Sequence, residues 1–218
     1  MERFGESHGK KGRYNIGGYV KCLHRLWDTT ARKKEWKQTK DGTCPLCEKD
    51  IETCDHIYKC EHELMKKSRD THLNECLSKI KKIGTSEKLA RRFKIILTQW
   101  TKKFPVQIPP KVKGERKLRK AMKEQKKLGW DNFVRGILSK KWGEIQLKYS
   151  LRKRNMKRKV GQIDRWSEEI TLALLTFSTN MWKKDVNLCT YLARERKMIQ
   201  REHKSKIGGS DSNRNLGC

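Results

Sequence analysis

Apolar residues recur at helical spacing along most of the chain. Leu89, Phe93, Ile96, Trp100 and Phe104 step by four, three, four and four, which places them on one face of a helix. Ser86 stands where an N-cap belongs, and Pro105, Pro109 and Pro110 close the pattern. A second stripe follows in Trp130, Phe133, Val134, Ile137, Leu138, Trp142, Ile145 and Tyr149. The third comprises Trp166, Ile170, Leu174, Phe177, Met181, Leu188 and Leu192, and the polar runs 176–180 and 184–185 predict a break within it. Residues 61–82 read as a charged helix with Leu64, Leu73, Leu77 and Ile80 loosely periodic, and Leu23, Leu26 and Trp27 suit a short helix within 19–36. No period-2 series and no internal repeat interrupts this, so the fold class expected is mainly α.

The pattern divides the chain. Residues 1–18 are polar and Gly-rich and read as a disordered, basic N-terminus; 19–62 form a compact module with a turn at Asp41-Gly42. Residues 63–104 are a helical segment and 105–127 a Pro/Lys-rich linker, since 111–127 holds nine basic residues against two glutamates. A helical, highly basic region spans 128–203, and 204–218 read as a disordered tail. With 34% hydrophobic and 36% charged residues, small helical modules joined by solvated basic segments are expected.

Charge narrows the choice of partner. The 54 Lys and Arg against 25 Asp and Glu give +29, a self-repulsion that a polyanion such as RNA or DNA relieves. A membrane surface fits less well, because the basic runs lack a lipid-facing apolar stripe. No apolar run approaches the ~20 residues of a membrane span, and the first residues lack the apolar stretch of a secretory signal. The eight cysteines are too sparse for a disulfide scaffold in 218 residues, which points to metal in a reducing compartment.

Candidate chemistry gathers in one place. Cys44-Pro-Leu-Cys47 is followed by eight residues, then His56, three more and Cys60. A Cys-x2-Cys turn offers two thiolates, and His-x3-Cys offers two further donors one helical turn apart, the donor set of a tetrahedral zinc site. All four positions would be filled by protein, which implies a structural site that contributes folding energy, with about one zinc per chain. The register is open: Cys54, His62 or the His72–Cys76 pair offers a substitute ligand. Catalytic pairings are poor. Cys22 and His24 are not placed to meet, and Gly-Gly at 17–18 and 208–209 lacks the Lys-Ser/Thr of a phosphate loop.

Two features suit nucleic acid. Trp36 stands between Lys34 and Lys37, where it can stack on a base while the lysines hold phosphate, or pack as a lid on the cysteine module. Residues 148–159 carry Lys148, Arg152, Lys153, Arg154, Lys157, Arg158 and Lys159 and no acid, an electrostatic footprint that also resembles a nuclear-import signal. Trp100, Trp130, Trp142, Trp166 and Trp182 lie on apolar stripes and are expected in the core.

Lys21-x2-His24-x2-Trp27-x-Thr29, Trp36, Cys-Pro-Leu-Cys and Glu52-Thr53-x2-His56-x3-Cys60 together resemble the zinc-binding segment downstream of the polymerase in non-LTR retrotransposon reverse transcriptases. Leu128-Gly129-Trp130-x2-Phe133-x2-Gly136-x2-Ser139-x2-Trp142-x3-Gln146-x2-Tyr149 is similar to the helical region that often follows it. The two stretches cover roughly a third of the chain. The resemblance implies a C-terminal retroelement segment that helps hold RNA and target DNA near an upstream or separate polymerase chain. Such a protein is nuclear, or cytoplasmic in a ribonucleoprotein before import. The sequence has no Asp-Asp dipeptide for two-metal phosphoryl transfer and no strand framework before the cysteines, so no enzyme activity is expected of these residues alone. The alternative is a zinc-stabilised scaffold that docks an acidic protein.

Overall fold

The computed structural model describes residues 16–111, 114–154 and 161–208. Among them nine helices follow one another: α1 Ile16–Leu23, α2 Thr30–Glu35, α3 His56–Lys59, α4 Glu63–Lys82, α5 Glu87–Thr101, α6 Arg116–Leu128, α7 Trp130–Val134, α8 Lys140–Arg154 and α9 Gly161–Gly208. Among the described residues β pairing is limited to one antiparallel bridge, Thr43 to Ile51. The described chain is therefore mainly α, as the stripes predict, with Cys44 and Cys47 of its cysteine/histidine cluster in the irregular stretch between α2 and α3, His56 at the start of α3 and Cys60 just after it.

Local chemistry fixes the helix ends. Thr29 accepts the Arg32 N–H at the start of α2, and Ser86 accepts the Leu89 N–H at the start of α5. Gly129, at φ 100°, ends α6 and lets the chain turn into α7. Gly136, at φ 84°, lies so close to α9 that a Cβ there would come within 2.9 Å of Thr171 Cγ2. Its carbonyl accepts the Thr171 hydroxyl at 3.0 Å.

Four expectations need correction. The 105–127 linker contains α6, because Leu118, Ala121, Met122 and Gln125 form a buried i, i+3, i+4, i+7 stripe among the lysines. The break expected in the third stripe does not occur: α9 runs unbroken for 48 residues. Thr176 and Thr179 return their hydroxyls to the Leu172 and Leu175 carbonyls at 2.7 and 2.9 Å, and Ser178 donates to the Val134 carbonyl at 3.1 Å. The short helix of 19–36 is two helices, and α1 begins at Ile16, inside the stretch expected to be disordered. Phe104 falls beyond α5 and is exposed, since the helix stops at Thr101. Residues 1–15 and 209–218, the bulk of the two tails, lie outside the described residues.

The helices share one core rather than forming separate modules. One aromatic group joins Phe93, Phe133, Trp142 and Trp166, with Phe93 meeting Phe133 and Trp142 edge-on at 5.2 Å. A second group ties the cysteine module to α9: Trp27 stacks on Trp182 at 5.9 Å, and Tyr58 meets Trp100 edge-on and Phe177 at a tilt. Trp100, Trp142 and Trp166 are buried and Trp130 and Trp182 partly so.

Two buried glutamines brace the helical half. Gln125 Oε1 accepts from the Ser139 N–H at 2.9 Å and from Trp142 Nε1 at 3.1 Å. Its Nε2 donates to the Gly129 and Ile137 carbonyls at 3.2 and 3.1 Å. Gln146 accepts the Ser86 N–H and donates to the Gly84 carbonyl, each at 2.9 Å, and so holds α8 to the turn before α5.

Candidate metal centre and basic face

The turn at Cys44 closes on itself. Glu48, in the left-handed region at φ 54°, donates its N–H to the Cys44 carbonyl at 2.9 Å, and Cys44 N–H donates to the Asp50 carbonyl at 2.8 Å. The Thr43–Ile51 bridge folds the two arms together. Thr53 Oγ1 then accepts the His56 N–H at 3.1 Å, which starts α3 and places His56 and Cys60 one turn apart.

This local folding brings Cys44, Cys47, His56 and Cys60 into one cluster whose ligand atoms all lie within 4.8 Å of one another. Cys44 Sγ is 3.9 Å from Cys60 Sγ, and Cys47 Sγ is 3.4 Å from His56 Nε2. Three thiols and an imidazole nitrogen converging in this way can hold a metal ion. The neighbouring Cys60 thiol first, and burial second, push the Cys44 thiol up to about 12, so a thiolate there calls for a bound cation. His56 turns Nε2 to the cluster and Nδ1 towards Asp50 Oδ2, 3.6 Å away. Lys103 hydrogen-bonds Asp50 at 2.9 Å and holds its carboxyl below the usual carboxylate range. At 3.6 Å the carboxylate faces Nδ1 without hydrogen-bonding it, so it does not fix the ring's tautomer. Buried Arg69 of α4 donates from Nη1 to the Tyr58 carbonyl at 2.8 Å and the Cys60 carbonyl at 3.4 Å, which clamps α3 to the helical body.

The substitute ligands stand elsewhere. Cys54 Sγ faces the Arg25 carbonyl at 3.4 Å, His72 Nδ1 pairs with Glu75 at 3.0 Å, and Cys76 is buried on α4. His62, just before α4, is also outside the cluster. Cys22 is buried and its thiol is pushed up to about 11 by that burial, while His24 is exposed.

Trp36 is 49% exposed, and the Arg32 guanidinium carbon lies 4.9 Å from its ring centroid, so it is not a lid on the cluster. Lys34 and Lys37 beside it are exposed. Lys148 is exposed on α8, Arg152, Lys153 and Arg154 continue the helix backbone, and Lys157, Arg158 and Lys159 lie outside the described residues.

The sequence reading passed over a further basic surface. Arg116, Lys117, Lys120, Lys123, Lys126 and Lys127 are exposed on α6, opposite the buried Leu118–Met122 stripe. Next to it Lys111, Arg116, Arg119, Lys120 and Lys123 line an open groove of about 690 Å³. The signal was present in the spacing of Leu118, Ala121, Met122 and Gln125, hidden under the lysine count.

The fold and the cluster define a mainly helical, strongly basic protein with a compact Cys3His cluster that could hold a metal ion. No known protein family, no curated protein and no solved structure matches the chain.

Proposed function

We propose that this is a zinc- and nucleic-acid-binding protein without catalytic activity of its own, akin to the zinc-binding end of a non-LTR retrotransposon reverse transcriptase. It holds RNA or DNA through phosphates and works in the nucleus, or in a cytoplasmic ribonucleoprotein before import, beside an upstream or separate polymerase chain. One observation carries the reading: a four-donor cluster is built into the same core as a helix presenting six exposed cations. Zinc suits the donors. A tetrahedral ion with ~2.3 Å bonds to sulfur and ~2.05 Å bonds to nitrogen implies S–S edges of ~3.8 Å and S–N edges of ~3.6 Å. Of the six edges, Cys44–Cys60 is 3.9 Å and Cys47–His56 3.4 Å, and the others lie within 4.8 Å. Four protein donors leave no open position, which favours a structural role for the ion. Phosphate contacts from α6, Lys34, Lys37 and the 148–159 run would position a nucleic acid without reading its sequence, and Trp36 offers a face for one base.

Fluorescence anisotropy with labelled single-stranded RNA and duplex DNA across a salt series tests this. Log affinity should fall linearly with log salt, by about 0.7 per contact on single strands and 0.9 on duplex. Lys120→Ala and Lys123→Ala should each shallow the slope by about one contact. Binding unchanged between about 50 and 500 mM salt overturns the reading, and poly-glutamate competing as well as RNA at equal charge density favours the acidic-protein scaffold. Cys47→Ser protein that keeps its full zinc content removes the metal assignment.

A further inference from the structure

A second group of metal-binding side chains lies where α9 crosses the cysteine module. Glu52 follows the bridge residue Ile51, and its Oε2 accepts the Thr30 N–H at 2.6 Å, which fixes the carboxylate and leaves Oε1 3.9 Å from Cys189 Sγ. Asp185 and Cys189 are four residues apart on α9 and so share a face. One ligand atom from each of the three residues lies within 4.8 Å of the other two.

The burial at this point is unusual. Glu52 is 3% exposed and Asp185 4% exposed, and Asp185 Oδ1 is fully buried with no hydrogen-bond partner. Two carboxylates of like charge are thus held together away from water, in a chain with cations to spare. Among the described residues neither carboxylate has a cationic nitrogen within the 4.0 Å of an ion pair. An orphaned buried carboxylate oxygen is costly and rare unless something neutralises it.

We propose that Glu52, Asp185 and Cys189 form a second divalent-metal site, separate from the Cys44–Cys60 cluster, which bolts α9 to the cysteine module. The donor set selects the metal class. One thiolate disfavours magnesium and calcium, and two carboxylates with a single sulfur suit zinc or cobalt(II) better than copper(I). Three protein donors would leave a fourth position for water. The competing arrangement is one proton shared by the two carboxyl groups, which would need no metal.

Metal stoichiometry separates the two. Full-length protein, purified reduced, is equilibrated with buffered zinc(II), and bound metal is measured by elemental analysis; cobalt(II) is then exchanged in and its thiolate charge-transfer band recorded. Wild type should hold two metal ions per chain. Asp185→Asn and Cys189→Ser should each hold one, Cys189→Ser should lose about a quarter of the charge-transfer intensity, and helical content should be unchanged. Cys47→Ser should also fall from two to one, through the other site. A wild-type protein that saturates at one ion per chain overturns the proposal, whether or not the variants fold. Two ions retained in folded Asp185→Asn overturns it as well. Because the readout is metal alone, the proposal stands or falls independently of nucleic-acid binding.

Discussion

Replacing Gln125 with leucine keeps the side-chain volume and removes four hydrogen bonds at the point where α6 meets α8. Of the four partners, the Ile137 and Gly129 carbonyls belong to residues that reach solvent and can be rehydrated. The Ser139 N–H and the Trp142 indole N–H cannot, since both residues are buried. Each stranded buried donor costs about 1–3 kcal/mol, so Gln125→Leu should destabilise the protein by roughly 2–6 kcal/mol. Urea unfolding of the metal-loaded protein, followed by circular dichroism and tryptophan fluorescence, gives the difference. A double-mutant cycle sharpens it: Trp142→Phe removes one of the two stranded donors. In the Gln125→Leu background it should therefore cost less than in wild type, with a coupling of about 1–2 kcal/mol. A loss below about 1 kcal/mol for Gln125→Leu, or additive single effects, would refute the network. The same variant should weaken RNA binding at temperatures where α6 loosens, because that helix carries the basic face.

Trp36→Ala removes an exposed ring, so stability should change by no more than about 0.5 kcal/mol, while RNA affinity should fall by about 1–3 kcal/mol if the ring stacks on a base; thermal melting and anisotropy on one preparation check both. Gly136→Ala forces a Cβ against Thr171 at φ 84°, and should lower stability by roughly 2–4 kcal/mol in the same urea assay. Cys76 is buried in the core and its thiol is pushed up to about 12 by that burial. Above about pH 9 the unfolded thiol ionises while the folded one keeps its proton, so stability falls as pH rises. Wild type should lose stability relative to Cys76→Ala by about 1.4 kcal/mol per pH unit between 9 and 12; a constant difference across that range would show that Cys76 is not held neutral.

The helical class was legible because α5 and the start of α9 bury regular stripes, and Ser86 caps where the spacing placed it. The cysteine cluster was legible for a related reason: its four ligands lie within 17 positions, so local turns alone bring them together. What escaped was set by distant partners. The hydroxyl run in α9 reads as a helix breaker until the Val134 carbonyl supplies a bond to Ser178. The nine basic residues of 111–127 mask a four-residue stripe in α6 that matters only once α8 packs on it. Glu52 and Cys189 are 137 positions apart, and no local spacing rule joins them.

The cysteine module is joined to the helical body at several points on α9: Trp27 on Trp182, Tyr58 on Phe177, Glu52 facing Asp185 and Cys189, and Glu48 paired with Arg196. From α9 the connection continues through Thr171 to Gly136 and through Ser178 to Val134, and so to the α6–α8 platform that carries the basic face. Loss of the metal would remove no lysine or arginine. It would loosen the strut that sets how the basic surfaces sit relative to one another. Affinity and salt dependence should therefore separate on chelation: the salt slope, which counts phosphate contacts, should stay within about one contact of its starting value. The affinity at fixed salt should fall, because contacts once held in a rigid frame must be ordered on binding. A slope that collapses together with the affinity would mean that the metal module itself carries most of the phosphate contacts, and that the α6 face does not.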